Sequence, residues 1–360
     1  MYVGGGSWTS SPSYSDLLSR ADPEFVRRAA LLAEVGQGPI PCVLDTSYVR
    51  TGLEAQLRTG QPPRSIRAAQ EGRTRIFMEK ATLDEAWERL TRFAAQLDVS
   101  VERLRQMFGE GWLPHISVVS LPENVRRLDG RALAVRDHDP DDYPAAALAA
   151  LLSPCILLTG NYRHFAPLGV SYPRQGVDAI FAAIDVRVGE RQLQAVTMIP
   201  AAPVYAIGAG TKWASEKIGP LAWVLLAAVA AGAVVLYRRQ STERRETIRK
   251  VAAGVGNVLM EQYAEAQRAV NDAQSKLSAC LVPPPDTRSV PSAVLRMLAT
   301  SDNSMSAQDL YEQLPAEVQP GLVPLRRWMH ANKPHFFSEV RRGSFQLGNR
   351  YSVSVAVAKS

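Results

Sequence analysis

The chain predicts an α/β fold, a parallel sheet with helices on both faces. Three observations predict it. Short apolar runs bounded by Gly, Pro or polar residues alternate with helical patterns, as in a parallel sheet wound through crossover helices. Hydrophobic residues make up 46% of the 360, enough to bury a core and too many for a chain disordered throughout. The length allows two or three domains, and a charge-free run divides the chain into parts of different composition.

Residues 1–37 read as a Gly/Ser-rich leader and a helix over 13–36, carried by Leu17, Leu18, Phe25, Ala29, Leu32 and Val35. The leader lacks the basic-then-apolar order of a secretory signal. "GPIPCVLDTSYV" gives a buried strand ending at Asp45. "TRIFMEKATLDEAWERL" predicts a strand over 74–78, a turn, and a helix from Thr82, with Thr82 and Glu85 at capping-box spacing. "HISVVSL" is the third strand. "DHDPDDYPAAALAALLSPCILLTGNYRHF" reads as an acidic turn, an Ala/Leu-rich helix and a fourth strand. These elements place one domain over 38–190 and a connector over 191–217.

Residues 218–237, "IGPLAWVLLAAVAAGAVVLY", carry no charge. Twenty helical residues span about 30 Å, the thickness of a bilayer core, so the run is expected to be a transmembrane helix in contact with lipid. From 238 to 281, Ile248, Val251, Val255, Val258, Tyr263, Ala266, Val270, Ala273 and Leu277 mark the apolar stripe of one long helix. Such a stripe over 240–280 also offers a surface for homo-oligomers. "LVPPPDTRSVP" is a linker. Residues 288–355 follow, with helical patterns at 290–300, 306–314 and 321–331 and two short strands around Arg342–Gly343. Three helices and a hairpin are the outline of a small winged-helix domain.

Charge is uneven along the chain. Residues 1–217 hold 24 basic and 24 acidic residues, whereas 238–360 hold 17 basic and 11 acidic. The excess points to an anionic partner for the C-terminal part. Arg326, Arg327, Lys333, Arg341, Arg342 and Arg350 fall on its last helix and hairpin, where a winged helix would touch phosphates. Cys42, Cys155 and Cys280 are odd in number and widely spaced, which suggests neither a disulfide framework nor a zinc site.

The chemistry concentrates at element ends. Asp45 ends the first strand, Glu85 lies one turn inside the next helix, Asp142 opens the Ala-rich helix and Asn161 follows the fourth strand. Singly, Asp142 reads as an N-cap flanked by turn residues Asp139 and Asp141, and Glu85 as a capping partner. Together they offer three carboxylates and one amide, the oxygen donors that Mg²⁺ or Mn²⁺ requires. Metal-assisted hydrolysis of a phosphodiester is the simplest use of such a set.

The order "VLDTSYV", "ATLDEAWERL", "DPDDYPAAALAALL", "ILLTGNYRHF" resembles the PIN domain, a nuclease family with a parallel sheet and a Mg²⁺/Mn²⁺ site, over about residues 38–175. The resemblance implies that Asp45, Glu85 and Asp142 bind metal, with Glu79 a weaker candidate for the glutamate, and that Thr159 is the supporting hydroxyl. Asn161 stands where the family most often has aspartate, so the fourth donor brings no charge. His164 nearby is a candidate phosphate contact. The implied activity is cleavage of single-stranded RNA by a membrane-tethered ribonuclease. The alternative is a catalytically weak PIN-like adaptor that assembles partners through its long helix and winged helix. Six basic residues in 238–250 against Lys212 and Lys217 put the C-terminal half in the cytoplasm. The run 218–237 is read as a single pass, yet a cytoplasmic PIN-like part would need 192–211, also charge-free, as a second crossing.

Overall fold

The structure, a computed structural model, describes residues 39–170, 179–185, 268–269, 271–285, 288–301 and 303–350. The expected leader, N-terminal helix, connector and charge-free run lie outside these residues, as does most of the long helix, of which 271–280 are helical. Among the described residues no helix is long and apolar enough to cross a membrane.

Four parallel strands form the middle of a six-stranded sheet: β1 (Ile40–Leu44), β2 (Thr74–Glu79), β3 (Ile116–Val119) and β4 (Cys155–Leu158). Their spatial order is β4-β1-β2-β3, with Ile40 opposite Thr74, Ile76 opposite Ile116 and Cys42 opposite Ile156. All residues of β1 and β4 are buried, so these strands are apolar throughout rather than alternating. The chain runs from β1 to β2 to β3, then returns to the far side of β1 for β4. The strand order therefore reverses between β1 and β4. Open α/β sheets leave a crevice beyond the carboxyl ends of the strands at such a point.

Helices α1 (Thr46–Thr59) and α2 (Arg64–Gln70) link β1 to β2. Helices α3 (Lys80–Leu97) and α4 (Val101–Gln106), with a π-helical turn at Met107–Trp112, link β2 to β3. Helices α5 (Glu123–Arg126), α6 (Gly130–His138) and α7 (Tyr143–Leu152) link β3 to β4. The expected start of α3 at Thr82 is corrected to Lys80. Glu79 is its N-cap: the buried carboxylate accepts from the Ala81 and Leu121 backbone N–H groups and from Arg126. With that cap in place, Thr82 lies inside the helix and forms no capping box. Gly52 in α1 lets Trp112 pack against the helix, because a Cβ there would sit 2.4 Å from the indole Cη2. Trp112 is fully buried and its Nε1 donates to Gln56 at 2.7 Å, so the ring cannot step aside. Gly52→Ala is expected to cost about 1–3 kcal/mol through overpacking, read as a lower midpoint in urea.

The remainder comprises β5 (Leu281–Val282), α8 (Val290–Thr300), β6 (Met305–Ser306), α9 (Ala307–Gln313), α10 (Leu322–Phe336), β7 (Phe337–Arg341), β8 (Ser344–Leu347) and β9 (Asn349–Arg350). The helices lie where their apolar periodicity put them, and β7 turns into β8 at Arg342–Gly343, where Gly343 takes a φ of 78°. Strands β6, β8 and β7 make a small antiparallel sheet in that order.

The described residues up to Phe181 and from Ser275 onward fall in one compact unit; the described residues between Ala182 and Gln274 fall in the other and are helical. β5 adds antiparallel to β4, and β9 antiparallel to β3, so the C-terminal segment supplies both edge strands of the main sheet. One apolar cluster holds Val43 and Phe77 of the sheet, the Ala/Leu face of α7, and Val294, Leu298, Phe336 and Phe345. Two arginines lock the halves together at helix ends. Arg296 of α8 donates to the carbonyls of Leu152 and Pro154, and Ser292 donates to that of Leu151, capping the C-terminus of α7. Arg75 of β2 in turn donates to the carbonyls of Leu298 and Ser301 at the end of α8. Cys42, Cys155 and Cys280 are free thiols in the interior, and burial pushes the latter two up to about 12.

Candidate metal centre

The carboxyl ends of β1 and β4 lie side by side at the switch point and deliver Asp45 and the Thr159–His164 turn to one edge. Asp45 is the N-cap of α1 and is only 2% exposed. Its Oδ2 accepts from the Ser47 N–H at 3.3 Å, the Ser47 hydroxyl at 2.5 Å and the Thr159 hydroxyl at 2.8 Å. Each hydroxyl has one proton and spends it on Asp45. The 3.0 Å approach of Ser47 Oγ to Thr159 Oγ1 is then a contact between acceptors rather than a further bond. The same two oxygens accept from the backbone N–H groups of Gly160 and Asn161, at 2.8 and 2.9 Å. Asp45 is thus held rigidly, with all three donors on Oδ2 and none of these bonds on Oδ1.

Beyond β4 the chain makes a tight turn, with the His164 N–H donating to the Asn161 carbonyl at 3.1 Å and the fully buried Phe165 anchoring it. Asn161 and His164, three apart, face the same way. His164 Nδ1 lies 2.7 Å from Asp142 Oδ2, 3.1 Å from Asp139 Oδ2 and 2.7 Å from the Asn161 amide. Asp142 does stand at the N-cap position of α7, but its side chain makes no capping bond and turns to His164 instead. The N-cap explanation of this residue is therefore not realised. Burial pushes the Asp142 carboxyl up to about 6, helped by the nearby charge of Asp45.

Glu85 sits at the flank of this edge. Its Oε2 accepts from Thr46 Oγ1 at 2.8 Å, and its Oε1 pairs with Arg89 at 2.6 Å; Arg89 also reaches Asp141 at 3.0 Å. Burial raises the Glu85 carboxyl, and Asp141 and Asp45 add to that. The expected ligand set is only partly assembled. Asp139, Asp142 and His164 bring one ligand atom each to within 4.8 Å of one another, and Asp45, Glu85 and Asp142 are not such a group. Glu79, the weaker candidate, is committed to capping α3. Arg89, Asp139 and the ligand-like use of His164 are not signalled by any residue alone. Their only trace is spacing, since Asp139 and Asp142, Asn161 and His164, and Glu85 and Arg89 each lie one helical turn or tight turn apart.

Does this cluster fit a cation? His164 Nδ1 carries at most one proton, yet three polar groups crowd it. One Nδ1–H bond satisfies one carboxylate and the Asn161 amide can donate to Nε2, 3.1 Å away, which leaves the second carboxylate facing Nδ1 without a proton to share. Ligand atoms at adjacent corners of an octahedron with bonds of about 2.1 Å lie about 3 Å apart, close to the observed spacings. A half-turn of the Asn161 side-chain amide exchanges its two ends and turns its oxygen inward. Two carboxylates, an amide oxygen and an imidazole nitrogen fit a small divalent ion, and the nitrogen favours Mn²⁺ over Mg²⁺. Comparison with known proteins gives no match to this chain, whether among family models, curated proteins or solved structures.

Proposed function

We propose that this chain is a metal-dependent ribonuclease of PIN type, acting on single-stranded RNA. The observation that carries the reading is the crowding of Asp139, Asp142 and Asn161 on His164 at the switch point of a parallel sheet, beside a rigidly held Asp45. Asp142, Asp139, His164 and Asn161 would hold the Mg²⁺ or Mn²⁺, with Asp45 as the next carboxylate inward. The bound cation would polarise a phosphoryl oxygen and lower the pKa of a water. Ser47 and Thr159 orient the Asp45 carboxylate through their hydroxyls. The outer side of the same turn presents Tyr162, 46% exposed, and Arg163, also exposed. A ring and a guanidinium next to the acidic edge suit a nucleobase and a phosphate of a strand lying across it.

The test is cleavage of a labelled single-stranded RNA by the purified full chain with Mn²⁺, with Mg²⁺ and with chelator. Cleavage that needs the cation supports the reading; none with either ion removes it.

The C-terminal elements run helix, strand, helix, helix, strand, strand, with sheet order β6-β8-β7. We read this as a winged helix whose third helix is α10 and whose wing is the turn at Arg342–Gly343. Arg326, Arg327, Arg341 and Arg342 are all exposed on these two elements. Lys333 is instead tied to Glu339, so it contributes less to a free basic face. Replacing the four exposed arginines by Ala is expected to lower the slope of log affinity against log salt by about 3 for single strands, read by anisotropy with a labelled oligonucleotide.

One observation favours the adaptor reading as second choice. Arg89 pairs with Glu85 and Asp141, which supplies a positive charge where a fully acidic site would need a cation. In that reading the edge is structurally complete without metal, and the basic C-terminal face does the binding. Of the stretch 240–280 that offers the oligomer surface, residues 240–267 and 270 lie outside the described residues.

A further inference from the structure

The sheet bears on a question that the sequence leaves in conflict. The charge-free run 218–237 separates β4 from β5 in the chain, yet β5 lies against β4 with Ile156 opposite Leu281 and Cys155 opposite Val282. On the other edge β9 lies against β3, with Ser117 opposite Arg350 and Val118 opposite Asn349. Side chains tie the same two halves together. Arg131 Nη1 donates to the Pro283 carbonyl at 2.8 Å, Ser292 Oγ to that of Leu151 at 2.9 Å, and Arg296 Nη1 to that of Leu152 at 3.0 Å. The Ser120 N–H donates to the carbonyl of His335 at 3.0 Å. Residues on both sides of the run also share one apolar cluster.

A backbone ladder and a shared core cannot be divided by a bilayer, because irregular backbone and open sheet edges are not tolerated in hydrocarbon. We propose that the described residues of 39–170 and those of 275–350 always occupy the same side of any membrane. The chain between them then crosses a bilayer an even number of times or not at all, and a single pass by 218–237 does not occur. The flanking charge names the side. Six basic residues in 238–250 outweigh Lys212 and Lys217, which puts the shared side in the cytoplasm if the run is inserted. The acidic edge and the basic face of α10 and the β7–β8 turn then meet the same pool of nucleic acid. This inference rests on strand pairing and charge, and does not depend on the nuclease reading.

The test labels two engineered cysteines in the full chain expressed in cells. Gln96→Cys lies on the exposed end of α3, before the run, and Gln313→Cys on the exposed end of α9, after it. The three native cysteines are buried in the fold and give a low background. A membrane-impermeant maleimide is applied to intact cells and again after lysis. Both positions are expected to be protected in intact cells and both labelled after lysis. Labelling of one and protection of the other in intact cells overturns the proposal, since only an odd number of crossings gives it. Labelling of both in intact cells overturns the assignment to the cytoplasm.

Discussion

Asp142→Asn and Asp45→Asn are expected to abolish cleavage and the response to Mn²⁺ while leaving the fold intact. For Asp142 the stability change has a defined sign. Its carboxyl is raised from 3.8 to about 6, so the fold disfavours the ionised form. A raised carboxylate contributes stability that is fully present below about pH 4 and is lost as pH rises through about 6. At pH 7 the parent without metal carries the whole penalty. A shift of this size corresponds to at most about 3 kcal/mol. The side chain remains partly wet and paired with His164, so roughly 1–2 kcal/mol is expected. The Asn variant should therefore melt roughly 2–8 °C above the metal-free parent at pH 7 and with it at pH 4. Mn²⁺ should raise the parent's midpoint and leave that of the variant unchanged. The measurement is a set of thermal melts across pH 4–7 with and without Mn²⁺. Equal metal-induced shifts in parent and variant would remove Asp142 from the site, whatever the cleavage assay shows.

Arg296→Ala is expected to destabilise the protein by about 3–5 kcal/mol through the cavity and the lost carbonyl bonds, the largest loss of stability from any single side chain discussed. Arg296 is 5% exposed, and burial lowers its guanidinium to about 10. It has no carboxylate partner among the described residues and stabilises carbonyls at the end of α7 instead. Removing it leaves those carbonyls without their donor and opens a cavity between α7 and α8. Arg296 Nη2 has no hydrogen-bond partner among the described residues, so part of the cost of burying the charge is uncompensated there. Arg296→Met fills the volume and removes that cost, and should lose less than Ala. Urea unfolding of parent, Ala and Met variants separates the two contributions. A Met variant as unstable as Ala would assign the whole effect to the lost carbonyl bonds; an Ala variant as stable as the parent would show that α8 does not hold the sheet.

How the edge came to hold its donors explains which residues were legible in advance. Asp45, Thr159 and Asn161 could be placed because each follows a short, wholly apolar run, and such a run in an α/β chain has few options except a buried parallel strand. Asp142 could be placed because an Ala/Leu-rich helix must begin where Pro and acidic residues end. Glu85 was placed correctly on its helix, but its partner Arg89 and its position at the flank depend on how α3 packs beside α1, which no local pattern specifies. Asp139 read as a turn residue because its role depends on a histidine that arrives from another strand end.

By itself, the sequence determined the apolar strand runs, the helices between and after them, the acidic residues at the element ends and the uneven charge of the two halves. Those are local properties, set by periodicity, caps and composition. Only the tertiary structure decided that β4 crosses to the far side of β1, creating the switch point, and that β5 and β9 return to close both sheet edges. Edge pairing of two-residue strands has almost no sequence signature, because backbone groups supply the ladder and any side chain fits. The same holds for the caps that Arg296 and Arg75 exchange between the halves: a lone arginine looks like a surface cation until the fold places carbonyls around it.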